Sequence, residues 1–288
     1  MMQSSRDVSF KMPVALACAL GLTGALLLPG CGAAGSQAQD AASNEAVEEE
    51  APKPLTAEEI DSWFAGEEGF AGRPVTVIGQ VNNVRRENGL TQLYICTDFE
   101  SGADKAVVFC EGPNPKIPLK SYVKVEGVAG DIFGYQNDYG ADMSAPSIEA
   151  DSVEEVSYKD AVAPTTTSLS PAAENEQNGY KVTVDTIEFS EKETRIYLTV
   201  TNNGAGRFTL HAGSAVVVQD GVQFNTETNT DADYPTISDS IVPGASMSGV
   251  ITFPPLETAG FELWMRGMAD GTQDGIGSFD FNFKFNVK

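Results

Sequence analysis

The sequence predicts an all-β protein with two β-rich domains behind an exported, membrane-anchored N-terminus. From residue 74 onward, short runs rich in Val, Ile, Tyr and Phe are separated by turn residues such as Gly, Pro, Asn and Asp. Apolar and polar side chains alternate within these runs, which is the pattern of strands that bury one face. Two stretches of different composition, residues 31–54 and 159–178, precede the first and second of these domains.

Residues 1–30 have the layout of a secretory signal peptide. Arg6 and Lys11 give a basic start, and no charged residue occurs from Met12 to Cys31. A membrane-spanning helix needs about 20 apolar residues, so the length of the run alone does not decide between the two interpretations. The residues that end the run decide it.

The apolar run ends in Leu28-Pro29-Gly30-Cys31, which resembles the lipobox of bacterial lipoproteins. The resemblance implies cleavage before Cys31 and a diacylglyceryl thioether on its sulfur. Cys31 would then anchor the chain to the extracytoplasmic face of the cell membrane. The alternative is a buried thiol of a membrane helix.

The segment 31–54 is predicted to be a disordered acidic tether. It contains no aromatic residue and includes Glu48, Glu49 and Glu50 in succession. Such a segment buries too little apolar surface to offset the entropy lost on ordering. We expect it to hold the folded domains away from the membrane.

The net charge of the chain, −23 at pH 7, bears on its partners. Acidic residues outnumber basic ones in both β-rich domains, so the negative charge is not confined to a tail. Such a surface releases no counterions from a phosphate backbone. We therefore expect no nucleic acid among the partners.

Residues 55–158 are predicted to form the first domain. Thr56 precedes Glu59 by three residues, the spacing of a capping box, which predicts a short helix. Five strand-like runs follow: VTVIGQVNNV, LYICTDF, AVVFCEG, YVKVEGVAG and SIEADSVEEV. The succession of this helix, GRPVTVIGQV, a central hairpin and LKSYVKVEGVAGD resembles the OB-fold barrels of the tRNA-anticodon-binding-like kind in exported bacterial proteins. The resemblance implies an OB-type barrel with a short N-terminal helix.

Residues 159–178 are predicted to be a linker, because Leu169 is their one large apolar residue. Residues 179–288 are predicted to form a β-sandwich. Their strand-like runs are YKVTVDTIEF, TRIYLTVTNNG, SAVVVQDGVQF, SGVITFP, FELWMRG and GSFDFNFKFNV. The succession of RIYLTVTNN, VVQDG and IVPGASMSGVITF resembles the immunoglobulin-like domain of Gram-positive lipoproteins and secreted antigens. That family implies a fold and no activity.

The pattern of chemically reactive residues does not predict catalysis, a cofactor or a metal. His211 is the one histidine of the chain, whereas zinc sites need several His or Cys ligands. The pairs Asp231 with Asp233 and Asp138 with Asp142 offer oxygens to calcium but lack the EF-hand spacing, and solvated turn acids on an acidic surface are the better explanation. Glycine patterns that bind nucleotides are also missing. We therefore expect a protein that is not an enzyme.

Five residues are predicted to bind a ligand. In OB-folds the ligand lies on strands two and three, between the loops that follow strands one and four. Here the first of these loops carries Arg85 and Arg86, and the second carries Phe133, Tyr135 and Tyr139. Arginine and aromatic side chains are frequent anchors of interfaces. The alternative is that Phe133 and Tyr135 fold back and close the barrel core.

Cys96 and Cys110 are predicted to form a disulfide. They are an even pair in a compartment that permits oxidation. A hairpin centred on Ala103 would place them directly opposite each other, within the reach of a disulfide. The alternative is two buried free thiols.

These features predict a non-enzymatic, lipid-anchored binding protein outside the cytoplasm, with a protein, peptide or envelope glycan as its ligand. The alternative is an accessory or regulatory subunit of an envelope enzyme or transporter. An exposed aromatic cluster at Phe133, Tyr135 and Tyr139 would favour direct ligand binding. A broad apolar patch on the second domain would favour a protein partner.

Overall fold

The computed structural model describes residues 51–287, apart from 88, 100, 103–104, 112–115, 138, 238–239 and 273–274 and the side chains of 271–272 and 275–276. The signal peptide, Cys31 and most of the tether lie outside the described residues, as does Asp138. Residues 50–288 form one compact unit.

The described part of the chain is all-β apart from two short helices and a 3-10 turn. The helical elements are α1 (Ala57–Phe64), α2 (Tyr158–Ala161) and the turn Ala212–Ser214. The first five strands are β1 (Pro74–Glu87), β2 (Leu90–Cys96), β3 (Ala106–Cys110), β4 (Tyr122–Gln136) and β5 (Asp142–Val156). The later strands are β6 (Thr167–Leu169), β7 (Ala173–Gln177), β8 (Tyr180–Phe189), β9 (Thr194–Asn202), β10 (Phe208–Leu210), β11 (Val216–Gln219), β12 (Val222–Asn225), β13 (Ser246–Phe253), β14 (Phe261–Thr272) and β15 (Gly275–Phe285).

Helix α1 begins with the predicted capping box. The Thr56 hydroxyl accepts a hydrogen bond from the Glu59 backbone N–H, and the Glu59 carboxylate accepts one from the Thr56 N–H. These bonds satisfy backbone donors that the first turn leaves without partners. On the opposite side of the helix, Trp63 is buried in the core of the barrel.

Strands β1 to β5 close into a barrel in the order β1-β2-β3-β5-β4, and β4 returns to β1. All the neighbouring pairs are antiparallel except β3 with β5, which are parallel. The bulge between Val81 and Asn83 bends β1, which pairs with β4 before the bulge and with β2 from Gln80 onward. Alternate side chains point inward and fill the barrel, among them Val75, Val77, Leu93, Ile95, Val108, Val123, Val125 and Ile148.

A two-stranded hairpin arm, residues 132–146, extends the β4–β5 pair beyond the barrel wall. It starts after an irregularity between Ala129 and Ile132, and β5 pairs with β3 only from Ser147 onward. The arm folds onto the outer face of β2 and β3. There, Phe133 and Tyr135 pack on Tyr94 and Val107, which point away from the barrel core.

Strands β6 to β15 form two sheets with one hydrophobic core, here called the two-sheet domain. One sheet has the order β10-β14-β11-β12 with β15 on β14, and the other has the order β13-β9-β8-β6 with β7 also on β8. Both sheets contribute to the core, with residues such as Val182, Val184, Ile196, Leu198, Val200, Phe261, Leu263, Phe279, Phe281 and Phe283. The alternation of buried and exposed residues along β8, β9 and β15 explains why the sequence predicts them clearly.

Two sequence predictions about connections are wrong. The segment 159–178 is not a linker throughout, because β6 and β7 lie in it and pair with β8. The segments with Arg85 and Phe133 are not loops, since β1 reaches Glu87 and the arm carries paired strands. Strand β7 lies at the edge of its sheet and consists mostly of polar residues such as Glu174 and Asn175. Its sequence therefore lacks the alternation of apolar and polar residues that predicts a strand.

Candidate functional site

Four aromatic rings form a ladder from the barrel to the two-sheet domain. Tyr122, the first residue of β4, points outward because Val123 points into the core. Its ring lies 5.6 Å from Phe99 and 5.8 Å from Tyr158, measured between centroids. Tyr158 in turn lies 6.4 Å from Tyr234. We call the part of the barrel at Tyr122 its junction end.

A cleft of about 850 Å³ opens beside this ladder, between the junction end and the two-sheet domain. The barrel supplies Gln80, Thr97, Asp98, Phe99, Lys120 and Tyr122, and the later chain supplies Tyr158, Val162, Lys192, Thr230 and Asp231. The lining therefore combines ring faces with two carboxylates and two ammonium groups. Such a mixture of apolar surface and a few charged groups is typical of sites that orient a ligand.

The loop after β2 is held in place by hydrogen bonds to one carbonyl. The Asp98 carbonyl accepts hydrogen bonds from the Cys96 thiol at 2.8 Å, from the Ser101 hydroxyl at 3.3 Å and from the Gly102 N–H at 3.1 Å. Because this turn is fixed, Asp98 and Phe99 have defined positions on the cleft wall. A preformed wall lowers the entropy that a ligand must overcome.

The charge of Asp231 acts on the aromatic ladder. Burial raises the pKa of the Tyr122 hydroxyl, and the nearby Asp231 carboxylate raises it further. Tyr122 is thus a neutral hydrogen-bond donor next to a carboxylate at neutral pH. This part of the cleft therefore places a carboxylate close to an aromatic ring.

A buried ion network lies behind the ladder and is centred on Arg195. The guanidinium is fully buried and donates from Nε to Glu188 Oε2 at 3.0 Å and from Nη1 to Glu193 Oε1 at 3.0 Å. Nη1 also donates to the Ala163 carbonyl at 2.8 Å, and Nη2 donates to Thr165 Oγ1 at 2.7 Å. Arg195 therefore ties the segment that leaves α2 to strand β9.

The two glutamates of the network have further donors. Tyr234 donates to Glu193 at 2.5 Å, and Tyr197 and Lys159 donate to Glu188 at 2.9 and 3.1 Å. Burial opposes ionisation of Glu188, but the hydrogen bonds from Lys159, Tyr197 and Arg195 lower its pKa overall. Among the described residues, every buried side-chain nitrogen and oxygen has a hydrogen-bond partner.

Burial also keeps the two tyrosines of this network neutral. It raises the pKa of Tyr197 to about 12, and the hydrogen bond to Glu188 acts in the same direction. Burial likewise raises the pKa of Tyr234, as does its hydrogen bond to Glu193. Both hydroxyls therefore remain donors, and the network acts as a fixed support behind the cleft.

The residues predicted to bind a ligand lie elsewhere, at the turn of β1 and β2 and on the arm, which we call the hairpin end. Arg85 lies with its guanidinium carbon 4.9 Å from the centroid of Tyr94 and donates to the Gln136 carbonyl at 2.7 Å. Tyr135 packs on Tyr94 at 4.8 Å, and Phe133 packs edge-on against Phe109 at 5.1 Å. The structure thus places Phe133 and Tyr135 in a small core of their own.

The other two predicted residues are exposed at the same end. Tyr139, in the turn of the arm, is 96% exposed, and Arg86 is exposed on β1. Ile132 and Met143 add exposed apolar surface on the arm. The aromatic cluster expected from Phe133, Tyr135 and Tyr139 is therefore divided between packing and solvent.

The predicted disulfide is not formed, because the predicted register is wrong. Cys110 lies opposite Thr91, and Cys96 lies five residues further along β2, about 16 Å away. An odd shift also turns the two side chains to opposite faces: Cys110 belongs to the barrel core, whereas Cys96 points to the side of the junction loop. Both are buried and neither is in a disulfide, and burial raises the pKa of Cys110 to about 11.

The remaining predicted features concern metals and the membrane. Within the described ranges, no three His, Cys, Asp or Glu side chains come together as a metal site. His211 is exposed and precedes the 3-10 turn. No helix in the described part of the chain is both long and apolar enough to cross a membrane.

The cleft residues were not predicted from the sequence. Tyr122 is the first residue of the predicted strand YVKVEGVAG, and Tyr158 is the last residue of the predicted first domain, so neither position by itself indicates a site. The sequence does contain one signal that could have indicated the cleft. Tyr122 is an aromatic residue on the outward face of a strand, and Tyr158 is a second aromatic residue at a domain boundary. The partners on the two-sheet domain carry no such signal.

Comparison with known proteins gives no family. No protein-family model matches this chain, and no curated protein sequence is significantly similar to it. A protein of unknown function from Listeria monocytogenes has a similar structure at 10% identity over 46% of this chain and 94% of its own, with a TM-score of 0.34. The Bacillus subtilis protein ycdA, described as a lipoprotein, is 12% identical over 40% of this chain and 38% of its own, with a TM-score of 0.31. The GAE domain of GGA2p from Saccharomyces cerevisiae is 12% identical over 40% of this chain and 100% of its own, with a TM-score of 0.29. Similarity at this level assigns neither a family nor a function.

Proposed function

We propose that the chain is a non-enzymatic, lipid-anchored binding protein outside the cytoplasm and that its ligand binds in the junction cleft. The observation that carries this proposal is the cleft itself, in which Phe99, Tyr122 and Tyr158 line one wall beside Asp98 and Asp231. The rings and charged groups of the cleft rest on a hydrogen-bonded network that is already ordered. Binding a ligand there immobilises few protein side chains, so little conformational entropy is lost.

The proposal includes a fold type for each domain. A closed five-stranded barrel in the order β1-β2-β3-β5-β4 supports the OB type for the first domain. Two sheets that share one core support the immunoglobulin-like type for the second. Neither type implies a particular ligand, since function depends on the site rather than on the fold.

The lipid anchor at Cys31 is proposed from the lipobox. It would leave the acidic residues up to 54 as a tether between the membrane and the barrel. Mass spectrometry of the mature N-terminus tests this directly, with Cys31→Ser as the variant. We expect a lipid-modified Cys31 in the natural chain and an unprocessed, unmodified chain in the variant; a mature N-terminus far from Cys31 contradicts the proposal.

Site-specific photocrosslinking in the producing cells tests the cleft. A benzophenone amino acid is placed at Lys192, which lines the cleft, and at Lys181, on the outer face of β8 in the other sheet, as a control. We expect an adduct from Lys192 and none from Lys181. If neither position gives an adduct, or both give the same one, the cleft is not the binding site.

A second candidate function, an accessory subunit of an envelope enzyme or transporter, is favoured by Trp264. Its indole is 49% exposed on the outer face of β14, opposite Val216. Ion pairs flank it, namely Arg266 with Asp280 and Lys284 with Glu262. An exposed Trp ringed by polar groups resembles the centre of a protein interface. A benzophenone at Trp264 that gives a protein adduct, while Lys192 gives none, would favour this function.

A further inference from the structure

We infer that the cleft binds a peptide through an ammonium group of that peptide, either a lysine side chain or the amino terminus. This inference rests on the proposed binding function and specifies its ligand. Three features of the cleft support it: the orientation of its rings, the position of its carboxylates and the charge of the whole protein.

The rings of the ladder stand nearly perpendicular to one another. The planes of Phe99 and Tyr122 meet at 76°, and those of Tyr122 and Tyr158 meet at 79°. Ring faces therefore point in different directions along one wall. An ammonium group in such a corner is attracted by the negative faces of more than one ring, as in the aromatic cages that bind methylated amines.

Two carboxylates complete the surroundings of a cation. Asp98 lies on the barrel side of the cleft, and Asp231 lies on the side of the two-sheet domain. Asp231 is close enough to Tyr122 to raise the pKa of that hydroxyl. An ammonium group held by rings and carboxylates makes charge-assisted hydrogen bonds in addition to the ring contacts.

The lysines of the cleft favour a peptide over a neutral glycan. Lys120 and Lys192 lie on opposite sides of the cleft, one from each domain. Lys120 is oriented by a hydrogen bond to Asn82 Oδ1 at 3.4 Å. A lining with both signs of charge matches a ligand that carries both an ammonium and a carboxylate, which a peptide does and a neutral sugar does not.

The charge of the whole protein adds attraction at a distance. At −23, the chain surrounds the cleft with a negative potential that concentrates cations near its mouth. Association of a cationic peptide should therefore weaken with added salt, while the contacts to the rings remain. A ligand without an ammonium group gains nothing from this field.

An NMR titration tests the inference on the ¹⁵N-labelled chain from residue 32 onward, which contains every described residue. The probes are acetyl-Gly-Gly-Lys-Gly-Gly with a free carboxyl terminus, the same peptide with an acetylated lysine side chain, Gly-Gly-Gly-Gly-Gly with both termini free, the same peptide with an acetylated amino terminus, and a fully N-acetylated, uncharged chito-oligosaccharide. Asp231→Asn is compared with Asp233→Asn, an exposed acid two residues away that does not line the cleft.

We expect one of the two ammonium peptides, or both, to shift the amide signals of Thr97, Phe99, Tyr122 and Tyr158, and which of them does so identifies the source of the ammonium. Acetylation of the ammonium group that binds should weaken that binding about tenfold, and Asp231→Asn should weaken it about fivefold, with no change for Asp233→Asn. Equal binding of the acetylated peptide, or binding of the chito-oligosaccharide alone, overturns the ammonium inference but keeps the cleft as a binding site. No shift with any probe overturns the inference, and the crosslinking at Lys192 then decides separately on the proposed function.

Discussion

The two ends of the barrel carry similar side chains in different arrangements. At the hairpin end, Tyr94 and Tyr135 pack on each other, and Arg85 lies over the Tyr94 ring. At the junction end, Tyr122 and Tyr158 line an open cleft. Aromatic residues and arginine thus form a small packed core at one end. At the other end the aromatic residues line an open cleft, and the arginine, Arg195, lies behind them.

The difference follows from what each end has to cover. The hairpin arm is a two-stranded extension, and such a hairpin is stable only if one face packs on something else. Phe133 and Tyr135 supply that face, so their rings are used for packing. At the junction, the Arg195 network already holds the chain segments together, and the rings in front of it remain available to a ligand.

Among the changes that would disturb this arrangement, we expect the substitution of Arg195 to have the largest effect on stability. Arg195→Met removes the common partner of Glu188 and Glu193 and leaves their carboxylates poorly compensated in the interior. We expect the free energy of unfolding to fall by about 3–5 kcal/mol. Urea unfolding followed by tryptophan fluorescence measures this.

Arg266→Met is the matched control. Arg266 also pairs with a carboxylate, that of Asp280, but its side chain is 63% exposed. We expect a change within about 0.5 kcal/mol. Equal losses for the two variants would mean that the junction does not depend on its buried network.

A smaller effect is expected at the hairpin end. Phe133→Ala removes the edge-on contact with Phe109 and opens the core under the arm. The expected loss of stability is about 1–2 kcal/mol, because the ring is only half-buried. Tyr139→Ala, at a residue 96% exposed, should leave stability unchanged.

The same two variants should leave the junction intact. Amide signals of Thr97 and Tyr158 in an NMR spectrum report on the cleft, and neither Phe133→Ala nor Tyr139→Ala should move them. Large shifts there would show that the two ends of the barrel are coupled, and the distinction between packed and open ends would then fail.

How much of this the sequence predicts depends on how local each signal is. The capping box at Thr56 and the alternating strands β8 and β9 are local, and the prediction of each is confirmed. The edge strand β7 does not alternate apolar and polar residues, because the buried residues of this pair come from its partner β8. Its pairing could not be predicted from its own residues.

The candidate site was harder to predict than the fold because its parts are distant in sequence. Phe99, Tyr158 and Asp231 meet only after the barrel and the two-sheet domain have formed. Hairpin register was a further obstacle: Ile95 pairs with Ala106, so opposed residue numbers sum to 201 instead of the 206 that a hairpin centred on Ala103 requires, and this shift separates Cys96 from Cys110.

The next smaller effect concerns a partly exposed counterpart of the buried Arg195 pairs, the pair of Arg73 with Glu59. Arg73 makes two parallel hydrogen bonds to Glu59, at 2.7 and 2.9 Å. The side-chain bond from Arg73 and the backbone bond from Thr56 lower the pKa of Glu59 from 4.5 to about 2. Because the folded-state pKa is the lower one, the stabilisation is complete above about pH 4.5 and is lost as the pH falls toward 2.

The test compares unfolding midpoints of the natural chain and Glu59→Gln between pH 7 and pH 2.5. The natural chain should be slightly more stable at pH 7, and the difference should shrink steadily below about pH 4.5 to a small remainder at pH 2.5, because Glu59 stays partly ionised in the folded chain down to about pH 2. Because Glu188 is present in both chains, its own acid titration cancels in the difference. A gap that stays constant with pH would show that the carboxylate charge of Glu59 contributes nothing.

We expect the smallest effect on the unfolding midpoint from a reducing agent. This experiment tests both ends of the barrel, because one cysteine lies near each end. Cys110 lies in the barrel core near the β1–β2 turn, and Cys96 lies at the junction end, where its thiol donates to the Asp98 carbonyl. A disulfide between them would close a loop of about 15 residues and stabilise the fold by about 3 kcal/mol. Because the two thiols point to opposite faces, we expect dithiothreitol to leave the unfolding midpoint unchanged. In the chain from residue 32 onward, whose only cysteines are Cys96 and Cys110, two thiols should titrate in urea without reductant. In the native protein, burial should slow the reaction of both thiols with iodoacetamide, and a ligand in the cleft should slow that of Cys96 further without affecting Cys110. A midpoint lowered by reductant, together with no titratable thiol, would contradict the register of β2 and β3 and with it the position of the loop that carries Asp98 and Phe99.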